Sequence, residues 1–287
     1  MQGRIIKLIS NQYEVLLENQ EIVKTIASGK MRIIQSPRAG DIVTIEVREG
    51  KHVIVEIKER LNDLNRPPIA NVDQMLIVMS AVDPDFSVSL VDQMLVMAAY
   101  HNIDPIIIVT KDDLIDPSDP VNEDINDYIK SGYQVIRSGK AYDTSEIEAL
   151  VANKFTVLSG QSGAGKSTLL NRINPEFEIR TQETSKALGR GKHTTRHVEF
   201  MPIGTGWVAD TPGFSKIDLT VLSKEDLRDS MLEFKKFSEG CRFRDCYHIN
   251  EPGCAVTKAV ENNEIPRKRY NNYLKHYNEI DDTRKRY

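Results

Sequence analysis

Gly160-Gln161-Ser162-Gly163-Ala164-Gly165-Lys166-Ser167 decides the reading of this 287-residue chain. The apolar run Phe155–Ser159 leads into it, and the helix-like stretch Ser167–Ile173 leads out. A strand that turns through glycines into a helix wraps consecutive backbone N–H groups around an anion. Glycines permit the positive φ and the close approach that this requires. Lys166 would neutralise phosphate charge and Ser167 would offer its hydroxyl to Mg²⁺. With Thr168 at the helix start, Gly160 through Thr168 form the candidate phosphate-binding set.

Two motifs stand on either side of this loop. Asp210-Thr211-Pro212-Gly213 follows the apolar Trp207-Val208-Ala209, 43 residues beyond Ser167. An aspartate at the carboxyl end of a strand can hold the water shell of Mg²⁺, and the Gly213 N–H can meet a terminal phosphate. Thr110-Lys111-Asp112-Asp113 follows Ile106–Val109. The Asp113 carboxylate can accept from both the N1–H and the exocyclic amine of guanine, a pair that adenine lacks. Lys111 would lay its stem over the base. Thr110 stands where such motifs usually carry asparagine, so an amide that ties the loop to its neighbours is expected to be lost. Ser138-Gly139-Lys140, after Val135-Ile136, is the candidate for the last base-contacting loop.

The order of these motifs is unusual. Ordinary GTPases place the phosphate loop first and the base-reading motif last, whereas here the base motif comes first by about 50 residues. A parallel sheet tolerates such a cut if neighbouring strands still pair and crossovers stay right-handed. Gln74–Ser80, Pro105–Val109, Tyr133–Ile136 and Phe155–Ser159 read as buried strands, with Val88–Tyr100 a helix between the first two. Phe200–Ile203 reads as the antiparallel edge. The repetition from 74 to about 220 specifies a doubly wound α/β domain, read here as a circularly permuted P-loop GTPase.

Between the phosphate loop and Asp210 lies Gly189-Arg190-Gly191-Lys192-His193-Thr194-Thr195-Arg196. A threonine closing on Mg²⁺ and phosphate from such a stretch is the logic of a switch ordered by its ligand. Thr195 is the candidate, with Thr194 the alternative. Many GTPases orient the attacking water with a glutamine just after D-x-x-G. Here that position is Phe214, and the nearest substitute is the titratable His193, the candidate catalytic residue. The segment after Gly213 reaches Cys241 within 28 residues, so movement at Gly213 is expected to pull on the C-terminal region.

All three cysteines fall in Cys241-x₄-Cys246-x-His248-x₅-Cys254. An odd count in a chain expected to be cytoplasmic argues against disulfides. Three thiolates and an imidazole suit one tetrahedral, structural Zn²⁺. Residues 1–60 hold five short apolar or alternating runs separated by turn residues, the pattern of a small closed barrel, with an OB-fold favoured. Asn62 to Asn71, with Pro67-Pro68, reads as a linker. The domains are then expected at 1–65, 66–222 and 223–287, the last mostly α-helical.

Net charge is only −4, but residues 61–160 carry 6 basic against 16 acidic side chains, while residues 1–60 carry 10 against 8. Neutral to basic flanks suit a protein that meets a polyanion through chosen faces. The longest apolar runs are strand-sized, far short of a membrane span, and a cytoplasmic location is expected.

Together the permuted motif order, Arg66-Pro67, Asn71-Val72-Asp73, Arg190 to Arg196, Asp210 to Phe214, and Cys241 through Cys254 with Glu251-Pro252-Gly253 resemble the RsgA (YjeQ/YloQ) family. These are GTPases of small-ribosomal-subunit biogenesis. The resemblance runs over essentially the whole chain. It implies an OB-fold, a permuted GTPase domain and a zinc domain, with binding to the 30S subunit and hydrolysis of GTP to GDP stimulated there during late maturation. The 16S rRNA would be met by the barrel, by the switch basics, and by Arg267-Lys268-Arg269 and Arg284-Lys285-Arg286, the protein acting as a monomer. Competing readings are a nucleotide-gated scaffold with incidental hydrolysis, and a P-loop ATPase or kinase, against which Asp113 speaks.

If Asp113 reads guanine, Asp113→Asn should shift preference from guanine to xanthine nucleotides, because the donor and acceptor at that position reverse. Competition binding with GTP, ATP and XTP checks this. Equal affinity of the wild type for ATP and GTP would contradict it.

Overall fold

The computed structural model describes residues 1–9, 12–28, 35–65, 67–175, 199–210 and 218–284. The chain divides into two compact units. The first holds Met1–Met75, Asp143–Ser159 and Lys166–Phe214; the second holds Leu76–Tyr142, Gly160–Gly165 and Ser215–Tyr287.

The first unit begins with β1 (Gln2–Ile9), β2 (Gln12–Leu17), β3 (Ile22–Ala27), β4 (Ile42–Arg48) and β5 (Lys51–Ile57). They close into a barrel in the order β1-β2-β3-β5-β4, with β3 and β5 parallel and β1 antiparallel to β4. That is the five-stranded closure expected of an OB-fold. Strand alternation sets the barrel's inside. On β3, Val23, Thr25 and Ala27 are buried while Ile22, Lys24 and Ile26 face solvent. Ile5, Val15, Val43, Ile45 and Ile54 fill the core.

The expected linker is instead a hairpin, β6 (Asp63–Asn65) against β7 (Pro68–Ala70). Leu64 and Ile69 pair across it and are buried. Pro68 lacks a donor, but it sits opposite Asn65 at the end of the ladder, where that loss matters least. The hairpin is pinned to the barrel by ion pairs. The Arg60 guanidinium grips the fully buried Asp41 at 2.7 and 2.9 Å and also donates to Asp63 at 2.9 Å.

The same unit contains α3 (Ser145–Val151), β11 (Phe155–Gly160, its last residue in the second unit), α4 (Lys166–Ile173), β12 (Met201–Ile203) and β13 (Gly206–Asp210), after five elements named below. β11 and β13 are parallel, and β12 lies antiparallel at the edge, as its sequence suggested. The barrel is fastened to this layer. Phe200 donates its N–H to Ile6 at 2.8 Å, and Lys7 pairs with Glu199 at 2.6 Å. The Arg4 guanidinium lies 3.9 Å over the Phe155 ring, which meets Phe200 edge-on at 4.9 Å.

The second unit carries β8 (Gln74–Ser80, its first two residues in the first unit), α1 (Val88–Tyr100), β9 (Asp104–Thr110), α2 (Val121–Lys130) and β10 (Gln134–Arg137). In this unit the strands pair in the order β10-β9-β8, and in the other in the order β11-β13-β12. Every residue of β8 is buried, as expected of a parallel strand covered on both faces. The Ser87 hydroxyl caps α1 by accepting the Leu90 N–H at 3.3 Å.

Beyond Ser223 the chain forms α5 (Lys224–Asp229), α6 (Leu232–Ser238), α7 (Ala255–Glu261) and α8 (Arg267–Arg284). α5 opens with a reciprocal capping box between Ser223 and Asp226. A buried ionic cluster holds these helices to α1 and α2. Arg269, 1% exposed, donates to Glu233 at 2.5 and 3.0 Å and to Asp92. Its guanidinium also stacks 4.8 and 5.0 Å from the rings of Tyr128 and Tyr133. Asp92 in turn accepts from Tyr128 at 2.9 Å and from Asn272 at 2.6 Å. Burial pushes Asp92 above the usual carboxylate range, and Arg269 draws it back only in part.

Arg269 is therefore not an RNA contact: its charge is spent inside the fold. Lys268 pairs with Asp124 on the surface. In the second basic run, residues 285 and 286 and the Arg284 side chain lie outside the described residues.

Removing the cation would leave two buried carboxylates facing each other. Arg269→Met should cost about 3–5 kcal/mol, as for other broken buried pairs. Urea unfolding of the full chain measures it, and a loss well under 1 kcal/mol would contradict the assignment.

Candidate nucleotide and metal sites

β9 delivers Thr110 to the end of its strand, 6% exposed. The Thr110 hydroxyl lies 2.5 Å from the Ala164 carbonyl and 3.2 Å from that of Met79. The expected loss of a tie is thus corrected. A hydroxyl on a short β-branched side chain makes the bond to the phosphate loop that an amide was thought to be needed for. Two glycines of the loop answer to different constraints, close packing at Gly160 and a left-handed φ of +85° at Gly165. A Cβ on Gly160, at φ +143°, would fall 2.0 Å from the Val78 carbonyl, and one on Gly165 would meet the Thr110 hydroxyl at 3.6 Å.

Lys111 takes a left-handed φ of 56°, and its ammonium donates to the Asp83 carbonyl. That conformation turns the chain into the short 3₁₀ segment Asp112–Leu114, leaving Asp113 exposed. The Ser138-Gly139-Lys140 loop lies directly on Asp113. The Lys140 N–H donates to its carboxylate at 3.2 Å, and a Cβ on Gly139 would be 2.4 Å from Oδ1. Ser138 is buried, its N–H donating to the Val109 carbonyl at 2.7 Å.

In the first unit, α4 places Lys166 at its start and exposes Ser167 and Thr168. Lys166 and Asp210 influence one another. Burial lowers Lys166 while Asp210 raises it, and burial pushes Asp210 above the usual carboxylate range while Lys166 pulls it down. Among the described residues the Asp210 Oδ1 is buried with no hydrogen-bond partner. A buried orphan acceptor is costly in an apo fold, and a hydrated Mg²⁺ would satisfy it. Asp210 fits that ion, and Ser167 offers an exposed hydroxyl at the start of α4. His193, Thr194, Thr195, Gly213 and Phe214 lie outside the described residues.

Cys241, Cys246, His248 and Cys254 come together, their ligand atoms all within 4.8 Å of one another. The Cys241 and Cys254 sulfurs are 4.0 Å apart, and His248 Nδ1 is 3.6 and 3.4 Å from them. Tetrahedral bonds of about 2.3 Å to sulfur and 2.0–2.1 Å to nitrogen give edges of about 3.5–3.8 Å. The contacts among Cys241, His248 and Cys254 approach these edges, and the four donors together could hold one four-coordinate ion.

Its surroundings favour the bound form. The N–H groups of Ala255 and Thr257 point at Cys241 and Cys254 sulfur at 3.3 and 3.4 Å, at the start of α7. Burial lowers His248, favouring the neutral imidazole that ligates, whereas burial pushes the metal-free Cys246 thiol up to about 12, a deprotonation cost that the bound cation has to offset. Glu251, which sequence reasoning gave no role, accepts the N–H groups of Tyr247, Ile249 and Asn250 at 2.7, 2.8 and 3.1 Å. One carboxylate so fixes the loop that carries His248. Burial works against its charge, but these bonds hold Glu251 below the usual glutamate range.

Residues 57–220 match the RsgA GTPase family model. The small ribosomal subunit biogenesis GTPase RsgA of Shouchella clausii is 44% identical over 100% of this chain and 99% of its own length. RsgA of Bacillus subtilis is likewise 44% identical, with the same coverage. Among solved structures, the circularly permuted GTPase YloQ superposes with a TM-score of 0.84 at 38% identity, covering 98% of this chain and 95% of YloQ. YjeQ from Thermotoga maritima gives 0.83 at 31% identity, covering 97% of this chain and 98% of that one.

Metal analysis of chelator-free protein should return one zinc per chain. Cys246→Ser should weaken the C-terminal region while the P-loop region stays folded, since ion binding contributes directly to local folding. Recovery of far less than one equivalent would argue for plain thiols.

Proposed function

We propose, since the chain belongs to the RsgA GTPase family, that it hydrolyses GTP on the 30S ribosomal subunit and assists late maturation of that particle. The observation that carries the nucleotide reading is the base loop itself: an exposed Asp113 overlain by Gly139 and Lys140, with Thr110 bonded to the phosphate loop. Asp113 takes the two guanine donors. Backbone N–H groups from Gly160 to Gly165 cradle the phosphates, and Lys166 neutralises them. Mg²⁺, held by Ser167, Thr195 and Asp210, would supply charge stabilisation to the phosphates when bound. The Cys₃His centre is a structural Zn²⁺ site that fixes the C-terminal helices.

The domains are taken as 1–65, 66–222 and 223–287. The barrel, the basic stretch Arg190 to Arg196, and Arg267 with Lys268 meet 16S rRNA, the protein acting as a cytoplasmic monomer. Among the described residues, no helix is long and apolar enough to cross a membrane.

Hydrolysis in the free protein is slow, because Phe214 cannot orient water and His193 stands in only once the ribosome positions it. Small subunits should raise turnover by on the order of 10³-fold, the lower reach of partner-supplied catalysis in GTPases. His193→Ala should abolish the stimulated rate and leave 30S binding intact. Loss of binding with turnover unchanged would make His193 an RNA contact, and fast turnover by free enzyme would refute the partner-dependent reading.

A further inference from the structure

Asp112 stands beside the base-reading Asp113, yet the two carboxylates have opposite surroundings. The Asp112 side chain is only 8% exposed, whereas Asp113 faces solvent. Each Asp112 oxygen has a specific partner. Oδ1 accepts from the Arg137 guanidinium at 2.6 Å, and Oδ2 accepts from the Tyr142 hydroxyl at 2.6 Å. Arg137 immediately precedes Ser138, and Tyr142 follows Lys140 by two residues. One carboxylate thus grips both ends of the loop whose middle rests on Asp113.

The backbone completes the clamp. The Asp112 N–H donates to the Ser138 carbonyl at 3.1 Å, and the Tyr142 N–H closes the loop on the Gly139 carbonyl at 3.1 Å. The same Arg137 Nη1 also donates to the Asn122 amide oxygen at 2.7 Å. The hydrogen bond to Asp112 raises the Tyr142 phenol above its ordinary range.

Guanine offers Asp113 its N1–H and amine, and its O6 projects beside that edge. An N–H on the loop covering Asp113 is where O6 would find a donor. The geometry points to Asp112 as a positioning residue for guanine selectivity: it holds the Gly139-Lys140 backbone against Asp113 so that donor and acceptors address one base edge together. This rests on the reading of Asp113 as the guanine acceptor. Asp112 touches no nucleotide atom itself and acts through Arg137 and Tyr142. Both bonds are charge-assisted and one is shielded from water, so losing the charge loosens the loop without emptying the site.

The test uses the full chain and fluorescent GDP and ADP. Asp112→Asn preserves shape and removes the charge. It should weaken GDP binding by about tenfold, through faster dissociation, while the weaker ADP binding, which depends on the phosphate loop, stays as it was. The KM for GTP should rise and kcat at saturation should hold. Tyr142→Phe should reproduce part of the loss, and the double variant should lose less than the product of the two.

A variant with unchanged GDP affinity would overturn the proposal. So would equal losses for GDP and ADP, or a fall in kcat with a lowered melting temperature, either of which marks a merely structural carboxylate. Failure of the underlying reading looks different: the wild type itself would not prefer GDP to ADP.

Discussion

The Thr110 hydroxyl reaches the Ala164 carbonyl across 54 residues of sequence, and the nucleotide reading depends on that bond. In a permuted chain the base motif comes first and the phosphate loop follows much later, so connectivity does not hold them in register. Local packing has to. Thr110 provides a hydrogen bond, Gly165 provides the left-handed turn beside it, and Gly160 lets the strand pass against Val78. A neutral hydrogen bond is worth only about 0.5–1.5 kcal/mol net. Its value here is geometric, because a buried hydroxyl with two carbonyls in reach leaves the loop few other positions.

Each appendage is then welded to its own part of the nucleotide domain. The barrel docks through Arg4, Ile6 and Lys7 onto Phe155, Glu199 and Phe200, next to the strand that enters the phosphate loop. The C-terminal helices dock through Arg269 onto Asp92 of α1, with Tyr128 and Tyr133 stacked against the guanidinium. These are different kinds of joint. The first is half-buried and mixed, whereas the second is a fully desolvated cluster whose loss would be severe.

Much of this was legible in the residues. The helix Val88–Tyr100 and the strand Gln74–Ser80 appear with the bounds that the sequence suggested, because a half-buried helix repeats every 3.6 residues and a strand covered on both faces reads as one apolar run. The Cys₃His cluster was legible because its ligands are close in sequence. What escaped detection involves long-range partners. Arg269 looked like part of a basic run, and nothing nearby announces Asp92 and Glu233 as its acceptors. The hairpin Asp63–Ala70 was mistaken for a linker since its short strands contain Pro68 and pin themselves through Arg60 and Asp41. Thr110 was judged by the amide it lacks, when its hydroxyl could reach a carbonyl that only the fold brings near.

The most direct measurement compares GDP dissociation from the wild type, Thr110→Ser and Thr110→Val. Serine keeps the hydroxyl and loses a methyl, while valine keeps the shape and loses the donor. If Thr110 fastens the base loop to the phosphate loop, the serine variant should release GDP at close to the wild-type rate. The valine variant should release it several-fold faster, about what one lost hydrogen bond implies. Indistinguishable rates for valine and wild type would contradict the account.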